Sequence, residues 1–134
     1  MTIIESDELI IQKPDSEVFD FLTQPENYRA LMPSSVQNFE VIDGLVNLDL
    51  KGLGKLVLAI TEKIPSHFIK IKPASKAPFD FFIQWDLVAT EAGTKVKAKI
   101  EADLNMMMKM MAQGFLKDFV NSQVFKLKNT LENQ

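Results

Sequence analysis

The sequence of 134 residues contains no cysteine. Disulfide bridges, thiol nucleophiles and thiolate metal sites are therefore excluded. It has a single histidine, so a transition-metal site of the usual kind is not expected, and no cofactor is predicted. Glycine and proline number five and six, too few for a collagen-like or low-complexity chain. No apolar run approaches the roughly 20 residues that span a bilayer, so no integral membrane association is expected.

Length and composition predict one domain over residues 1–134, since domains have roughly 150 residues. The net charge of −3 gives no bulk attraction to nucleic acid, and we expect no nucleic-acid partner. Near the start lie Glu5, Asp7 and Glu8, where a signal peptide would carry basic residues. This absence of a leader predicts a cytoplasmic location.

The first third of the chain predicts a strand followed by two short helices. Residues 2–12 contain paired isoleucines and read as a strand. Pro14 cannot donate to a strand ladder, and Asp15 is a good N-cap for a helix over residues 15–23. Pro25 suits the first turn of a second helix, which ends before Pro33.

Between residues 36 and 104 the apolar pattern has a period of two, which predicts six strands. Asp43-Gly44 is the strongest turn signal, and Gly52–Gly54 marks another turn. Short connections between consecutive strands favour an antiparallel meander. The predicted strands cover residues 36–42, 45–51, 55–64, 67–73, 79–89 and 94–104.

The last of these strands alternates most regularly. Val96 and Ala98 face one way, whereas Lys95, Lys97 and Lys99 face the other. One face of the sheet is therefore core and the other is solvated. If the final hairpin is centred near residue 92, Lys97 lies opposite Asp86 and Lys99 lies opposite Gln84. The lysine run is then an outer face of cross-strand pairs and not a nucleic-acid patch.

Residues 105–131 lack proline and predict a long helix with Asn105 as its N-cap. Projection at 100° per residue places two apolar stripes on different sides, which indicates a helix that changes partners and bends near Gly114. The stripe of the first half comprises Leu104, Met107, Met108, Met111, Phe115 and Phe119. That of the second half comprises Leu116, Val120, Val124, Leu127 and Leu131.

This order of elements predicts an α+β helix-grip fold. A helix of 27 residues is about 40 Å long, and strongly twisted strands curl enough to wrap it. We therefore predict a seven-stranded curved antiparallel sheet around a long C-terminal helix, with two short helices after the first strand. Such a grip leaves a space between helix and sheet unless large side chains fill it.

At this point the chain resembles a known family, the START/Bet v 1-like helix-grip superfamily (SRPBCC), in its polyketide cyclase/dehydrase-like branch. The resemblance rests on the order of elements, the segment Pro14-Asp15-Ser16-Glu17-Val18-Phe19-Asp20-Phe21-Leu22, the helix start Pro25-Glu26-Asn27-Tyr28, and Pro33. It implies a cavity under the long helix that holds a hydrophobic small molecule or lipid, and a minority of relatives are enzymes. Many relatives have tryptophan in the second short helix, where this chain has Tyr28-Arg29-Ala30-Leu31-Met32, so the subfamily stays open.

Five methionines open the long helix: Met106, Met107, Met108, Met110 and Met111. Flexible, polarizable side chains suit a pocket for varied apolar ligands, but they equally fill irregular gaps in a core. Met106 and Met110 point away from the predicted inner stripe. They provide an alternative, a surface for a protein partner.

Aromatic residues on one face of a strand, including Phe79 and Trp85, suit a cavity wall or an ordinary core. Trp85 needs a partner for its indole N–H if it is buried. The candidate ligand-binding residues are Phe81, Ile83, Trp85, Val96, Ala98, Met107, Met108, Met111 and Phe115.

Polar groups with a chemical role are few. Glu8 and Glu62 lie in strands that are apolar on both sides, so either is a candidate polar anchor in the cavity. In an enzyme of cyclase or dehydratase type, Glu8, Glu62 or His67 would be the acid or base. His67 otherwise reads as a solvated strand end, and no catalytic residue is assigned.

Phe68 and Phe82 are predicted on the outer face of the sheet. An exposed aromatic pair marks a homodimer contact, unless Lys70 shields it. The function predicted for the chain is binding or transport of a hydrophobic small molecule or lipid. The alternatives are the enzyme and the protein-interaction module.

Overall fold

The computed structural model describes residues 1–51 and 53–134, which form an α+β fold. A curved antiparallel sheet packs against a long C-terminal helix, and this confirms the predicted helix grip. The elements are β1 (Thr2–Glu5), β2 (Leu9–Ile11), α1 (Asp15–Leu22), a 3-10 helix (Pro25–Leu31), β3 (Val36–Ile42), β4 (Leu45–Leu50), β5 (Gly54–Ile64), β6 (Phe68–Pro73), β7 (Phe81–Thr90), β8 (Gly93–Ala102) and α2 (Met106–Glu132).

The strands lie in the order β1-β8-β7-β6-β5-β4-β3, and β2 also pairs with β8. Consecutive strands from β3 to β8 are neighbours, as the predicted meander requires. Asp43 and Gly44 both have positive φ in the β3–β4 hairpin, in agreement with the predicted turn. Of the other predicted turn, Gly52 lies outside the described residues.

The predicted first strand is divided in two, so the described sheet has eight strands and not seven. Ser6 lies between β1 and β2 and is buried. Its hydroxyl oxygen accepts a hydrogen bond from the Ala98 backbone N–H at 2.9 Å, and its own N–H donates to the Ala98 carbonyl at 2.8 Å. A short polar side chain has thus replaced one ladder bond, which interrupts the pairing of a continuous strand.

Of the two helix N-caps predicted from the sequence, the structure confirms one. Asn105 is the N-cap of α2, and its Oδ1 accepts a hydrogen bond from the Met108 N–H at 2.8 Å, as predicted. The prediction that Asp15 caps α1 is wrong, because Pro14 occupies that position and its side chain forms no cap bond. Asp15 instead lies in the first turn, where its charge favours the helix dipole.

The apolar face of α2 is one continuous stripe. Its buried residues recur at spacings of three and four, and Gln123 is the one polar member: Ala112, Leu116, Phe119, Val120, Gln123, Val124, Leu127 and Leu131. The predicted shift of the stripe along the helix is wrong, because Met107 and Met111 are 71% and 77% exposed. Residues 106–111 are all methionine except for Lys109. Because apolar side chains lie on nearly every side of this part of the helix, the sequence pattern does not indicate which side is buried.

Lysines fasten α2 to the rest of the fold through backbone carbonyls. Lys117 donates to the carbonyl of Glu5, Lys128 to that of Ile10, and Lys126 to that of Met32. These bonds tie the helix to both halves of the divided first strand and to the end of the 3-10 helix. No helix in residues 1–51 and 53–134 is both long and apolar enough to cross a membrane.

Candidate functional site

A groove opens where the first turns of α2 pass over the end of the sheet. It has a volume of about 350 Å³. We call it the mouth groove, and its lining residues are Lys51, Leu53, Pro78, Phe79, Met108, Met111, Ala112 and Phe115. Seven of the eight are apolar, so this is the largely hydrophobic surface that small apolar ligands require.

Behind the mouth groove, two voids of about 20 Å³ each lie between α2 and the sheet. The middle void shares Leu53 and Phe79 with the mouth groove. The inner void shares Leu58, Ile83 and Phe119 with the middle void. The three spaces therefore adjoin one another between α2 and the sheet, and the inner void also borders Gly44 in the exposed β3–β4 turn.

The lining of the inner void is apolar except for two residues. These are Tyr28 and Gln123, of which Gln123 is only 1% exposed. In the described part of the chain, the Gln123 Oε1 atom has no hydrogen-bond partner, whereas the Trp85 indole lies within hydrogen-bonding reach of the Tyr28 hydroxyl. Buried polar atoms are nearly always paired, so the unpartnered Gln123 Oε1 atom is an uncommon feature.

Tyr28 is the other polar residue of this lining, and it lies beside Trp85. Its hydroxyl donates to the Leu22 carbonyl at 2.7 Å. Burial raises the pKa of the Tyr28 phenol far above its ordinary value, and a hydrogen bond from the Trp85 indole lowers it by a smaller amount. The phenol therefore stays neutral, and it has an oxygen lone pair left to accept a bond.

Three predicted site residues, Met108, Met111 and Phe115, line the mouth groove. Met111 is nevertheless mostly exposed, so it borders the groove from the solvent side. Met107 is not among the described residues that line the three spaces, and it points to solvent. Its position at the groove was predicted from the stripe that the structure does not show.

The predicted residues on the sheet lie deeper. Phe81 and Ile83 line the middle void. Trp85, Val96 and Ala98 are fully buried in the core beyond it. The strand facing was therefore predicted correctly, whereas contact of these residues with a ligand stays a prediction.

The predicted polar anchors do not reach the interior. Glu8 is exposed and lies 3.6 Å from Lys95, because the division of the first strand turns it outward. Glu62 is exposed next to a register shift in β5 that follows Ile60. His67 is also exposed, in the turn immediately before β6. Within the described ranges, no three acidic or imidazole side chains are grouped closely enough to hold a metal ion.

The outer face of the sheet has the predicted register. Asp86 lies opposite Lys97, and Gln84 lies opposite Lys99. The ion pair of Lys97 is formed with Glu5, however, at 3.1 Å, and the hydrogen bond from Lys97 to this carboxylate raises the pKa of Lys97.

Lys70 covers the aromatic pair on the same face. Its ammonium lies 4.3 Å from the ring centre of Phe82 and 5.8 Å from that of Phe68. Both rings are half-buried. The sequence allowed either an exposed aromatic pair or a pair shielded by Lys70. The structure shows the shielded pair.

Sequence reasoning missed Gln123, a buried polar residue that lines the inner void. A signal was present: Gln123 lies three residues after Val120 and four before Leu127, so it is a polar residue inside the apolar stripe. It also missed Leu53 and Pro78, which lie in turns where periodicity carries no information on burial.

No protein-family profile matches the sequence, and no curated protein matches it. Similar solved structures cover nearly the whole chain. Norcoclaurine synthase from Thalictrum flavum has a TM-score of 0.79 at 10% identity, over 99% of this chain and 94% of that one. The protein MLL2253 from Mesorhizobium loti has a TM-score of 0.73 at 18% identity, over 99% and 98%.

The Aha1 dimer from Colwellia psychrerythraea is also similar, with a TM-score of 0.72 at 18% identity, over 98% of this chain and 97% of that one. All three identities are too low to carry an activity from one protein to another. What they establish for this chain is the helix-grip fold.

Proposed function

We propose that this protein is a single domain that binds a hydrophobic small molecule or lipid through the mouth groove. The observation that carries the proposal is the apolar groove of about 350 Å³, which continues through shared lining residues into the space under α2. Its volume lies within the range of small-molecule pockets, roughly 300–1,000 Å³. The cytoplasm remains the predicted location.

Binding beyond the groove requires side chains to move. The two inner voids have about 20 Å³ each, so Leu53 and Phe79 separate the groove from the interior. Both are only partly buried. Because Met108 and Met111 are flexible, the groove can adapt to ligands of different shape.

The enzymatic alternative has no support from the site. Glu8, Glu62 and His67, the candidate acids and bases, all point to solvent. The buried polar and charged side chains among the described residues are Ser6, Thr94 and Gln123, and none of them titrates in the physiological range.

An apolar fluorescent dye tests the proposal. We expect the dye to bind the folded protein and to be displaced by a medium-chain fatty acid or alcohol. Met111→Asp places a charge at the groove and should weaken dye binding about tenfold or more. Because Met111 is exposed, its replacement should change the free energy of unfolding by only about 0.5 kcal/mol.

The matched control is Lys97→Ala, on the outer face of the sheet. This variant should bind the dye as the original protein does, because Lys97 contacts Glu5 and not the groove. If dye binding is absent, or if both variants bind with the original affinity, the mouth groove is not the binding site.

One observation favours a second candidate, a protein-interaction module. Met106 and Met110 are 81% and 82% exposed, beside the exposed Met107 and Met111. Exposed apolar side chains gathered on one helix surface are typical of association sites. A solved structure with this fold is a dimer, so a second copy of the chain is the partner that we test below.

A further inference from the structure

We propose that Met108 and Met111 form an oxidation-sensitive pair, and that conversion of their thioethers to sulfoxides by a peroxide weakens ligand binding in the mouth groove. This inference rests on the proposed function and names a regulation of the same site. The observation behind it is the position of the two residues. Met111 lines the groove and is 77% exposed, and the half-buried Met108 lines it about one turn earlier on the same side of α2.

Methionine is the only sulfur-containing residue type in this chain, because cysteine is absent. Five of the seven methionines lie within residues 106–111. Four of these five side chains are between 71% and 82% exposed, namely Met106, Met107, Met110 and Met111. An oxidant in solution therefore reaches them without any opening of the fold.

The reaction of a methionine with hydrogen peroxide transfers one oxygen atom to the sulfur. A lone pair of the thioether sulfur attacks one peroxide oxygen, so that the S–O bond forms and the O–O bond breaks. The hydroxide that leaves takes up the proton of the transferred oxygen and becomes water. The sulfur is oxidised by two electrons and the peroxide is reduced by two, and the side chain becomes polar without gaining a net charge.

A sulfoxide at Met108 or Met111 changes the chemistry of the mouth groove. Its oxygen is a hydrogen-bond acceptor, and an apolar ligand that covers this oxygen displaces water without supplying a donor. Among the lining residues only Lys51 has a side-chain donor, and the others are apolar. We therefore expect oxidation of the pair to weaken the binding of an apolar ligand about tenfold.

Titration with the apolar fluorescent dye before and after treatment with hydrogen peroxide tests the inference, while mass spectrometry measures the sulfoxide at each methionine. We expect the affinity to fall about tenfold once Met108 and Met111 are oxidised, and to recover when methionine sulfoxide reductases remove the added oxygen. Saturation with the dye before the peroxide is added should slow the oxidation of these two residues, because the bound dye covers them. It should leave the oxidation of Met106 unchanged, since Met106 does not line the groove.

Two double variants are matched to each other, and each is compared with its own affinity before oxidation. Met108→Leu with Met111→Leu removes the two groove sulfurs and keeps apolar side chains of similar volume, so peroxide should change its affinity by less than about twofold. Met106→Leu with Met110→Leu removes two exposed sulfurs outside the groove, and it should still lose about tenfold. Both variants keep Met32, which lines the inner void, so the difference between them does not come from Met32.

Four results would overturn the inference. The affinity stays the same although Met108 and Met111 are oxidised, or the two double variants lose equal affinity. Alternatively, the pair resists peroxide at a dose that oxidises Met106, or circular dichroism shows that the oxidised protein has unfolded. If the dye binds before peroxide is added and one of these results follows, this inference fails alone. If the untreated protein does not bind the dye, the proposed function fails with it.

Discussion

Two glycines illustrate how the same residue type has opposite roles in this chain. Gly93 begins β8 with a φ of +140°, and a Cβ atom built there would lie 2.0 Å from the carbonyl oxygen of Ile11. Gly114 lies on the exposed side of α2, and a Cβ atom there meets nothing within 4 Å. The first glycine is therefore required by the close approach of β2, whereas the second only weakens a helix.

This contrast gives a prediction for stability. Gly93→Ala should lower the free energy of unfolding by about 3 kcal/mol, because β2 must move and the backbone is strained. Gly114→Ala should raise it by about 0.5–1 kcal/mol, because alanine is the better helix former. Urea unfolding of the two variants measures both values. Equal effects of the two substitutions would contradict the close contact between Gly93 and β2.

At the scale of single residues, the candidate site was predictable only where polar and apolar residues alternate clearly along a strand. The positions of Phe81 and Ile83 at a cavity followed from the period of two in their strand. Met107 was misplaced because its neighbours are apolar in every direction. Gln123 was missed because the importance of one polar residue in an apolar stripe depends on what faces it, and a single sequence does not contain that information.

At the scale of helices and strands, the C-terminal end of α2 is attached to β2 through the charged side chains of Lys128 and Glu132. The Glu132 carboxylate accepts hydrogen bonds from Lys128 at 2.9 Å and from the Gln12 N–H at 2.8 Å. The hydrogen bond from Lys128, followed by that from Gln12, lowers the pKa of Glu132 below its ordinary value of 4.5. A carboxylate whose pKa is lowered by folding stabilises the folded state while it is ionised.

The resulting prediction concerns pH. The stabilising effect of Glu132 is fully present above its unfolded pKa of 4.5 and is lost as the pH falls through the lower pKa of the folded state. We therefore expect Glu132→Gln to reduce the stability most between about pH 5 and 8, with a difference that shrinks in stronger acid. Thermal unfolding across this range measures it.

Glu91→Gln is the control for this measurement. Glu91 is exposed in the β7–β8 turn and takes part in no ion pair among the described residues. Its replacement should leave the pH profile of stability unchanged. A Glu132→Gln variant with the same profile as the original protein would mean that Lys128 and Glu132 do not hold the helix end.

The order and type of the elements were largely predictable, because turn residues and apolar periods are local signals. The six strands of the meander and the N-cap at Asn105 agree with the structure to within a few residues. The division of the first strand was not predictable. It depends on Ser6 bonding to Ala98, a residue 92 positions later in the chain.

For the whole molecule, the methionine surface raises the question of association. Met106, Met107, Met110 and Met111 are between 71% and 82% exposed. In a symmetric dimer the same helix surface would contact its own copy, so each methionine contact would occur twice in the interface. The aromatic pair on the outer sheet face is a weaker candidate, because Lys70 covers both rings.

Sedimentation over a range of protein concentrations checks this second candidate. We expect self-association of the original protein and its loss in the double variant Met106→Ser, Met110→Ser, because two apolar contacts per chain are removed. The double variant should keep its affinity for the apolar dye, since neither residue lines the mouth groove. An original protein that stays monomeric at every concentration would contradict docking of a second copy.

The helix that fills the hollow of the sheet follows every strand in chain order. On the ribosome, the inward-facing leucines and isoleucines of the sheet are therefore made before residues 106–132 exist to cover them. A nascent chain that stops before α2 would expose this hydrophobic surface to other chains and to chaperones. The sheet is therefore covered only once α2 has been made, and stop codons in the first half of α2 should be as damaging as those far upstream.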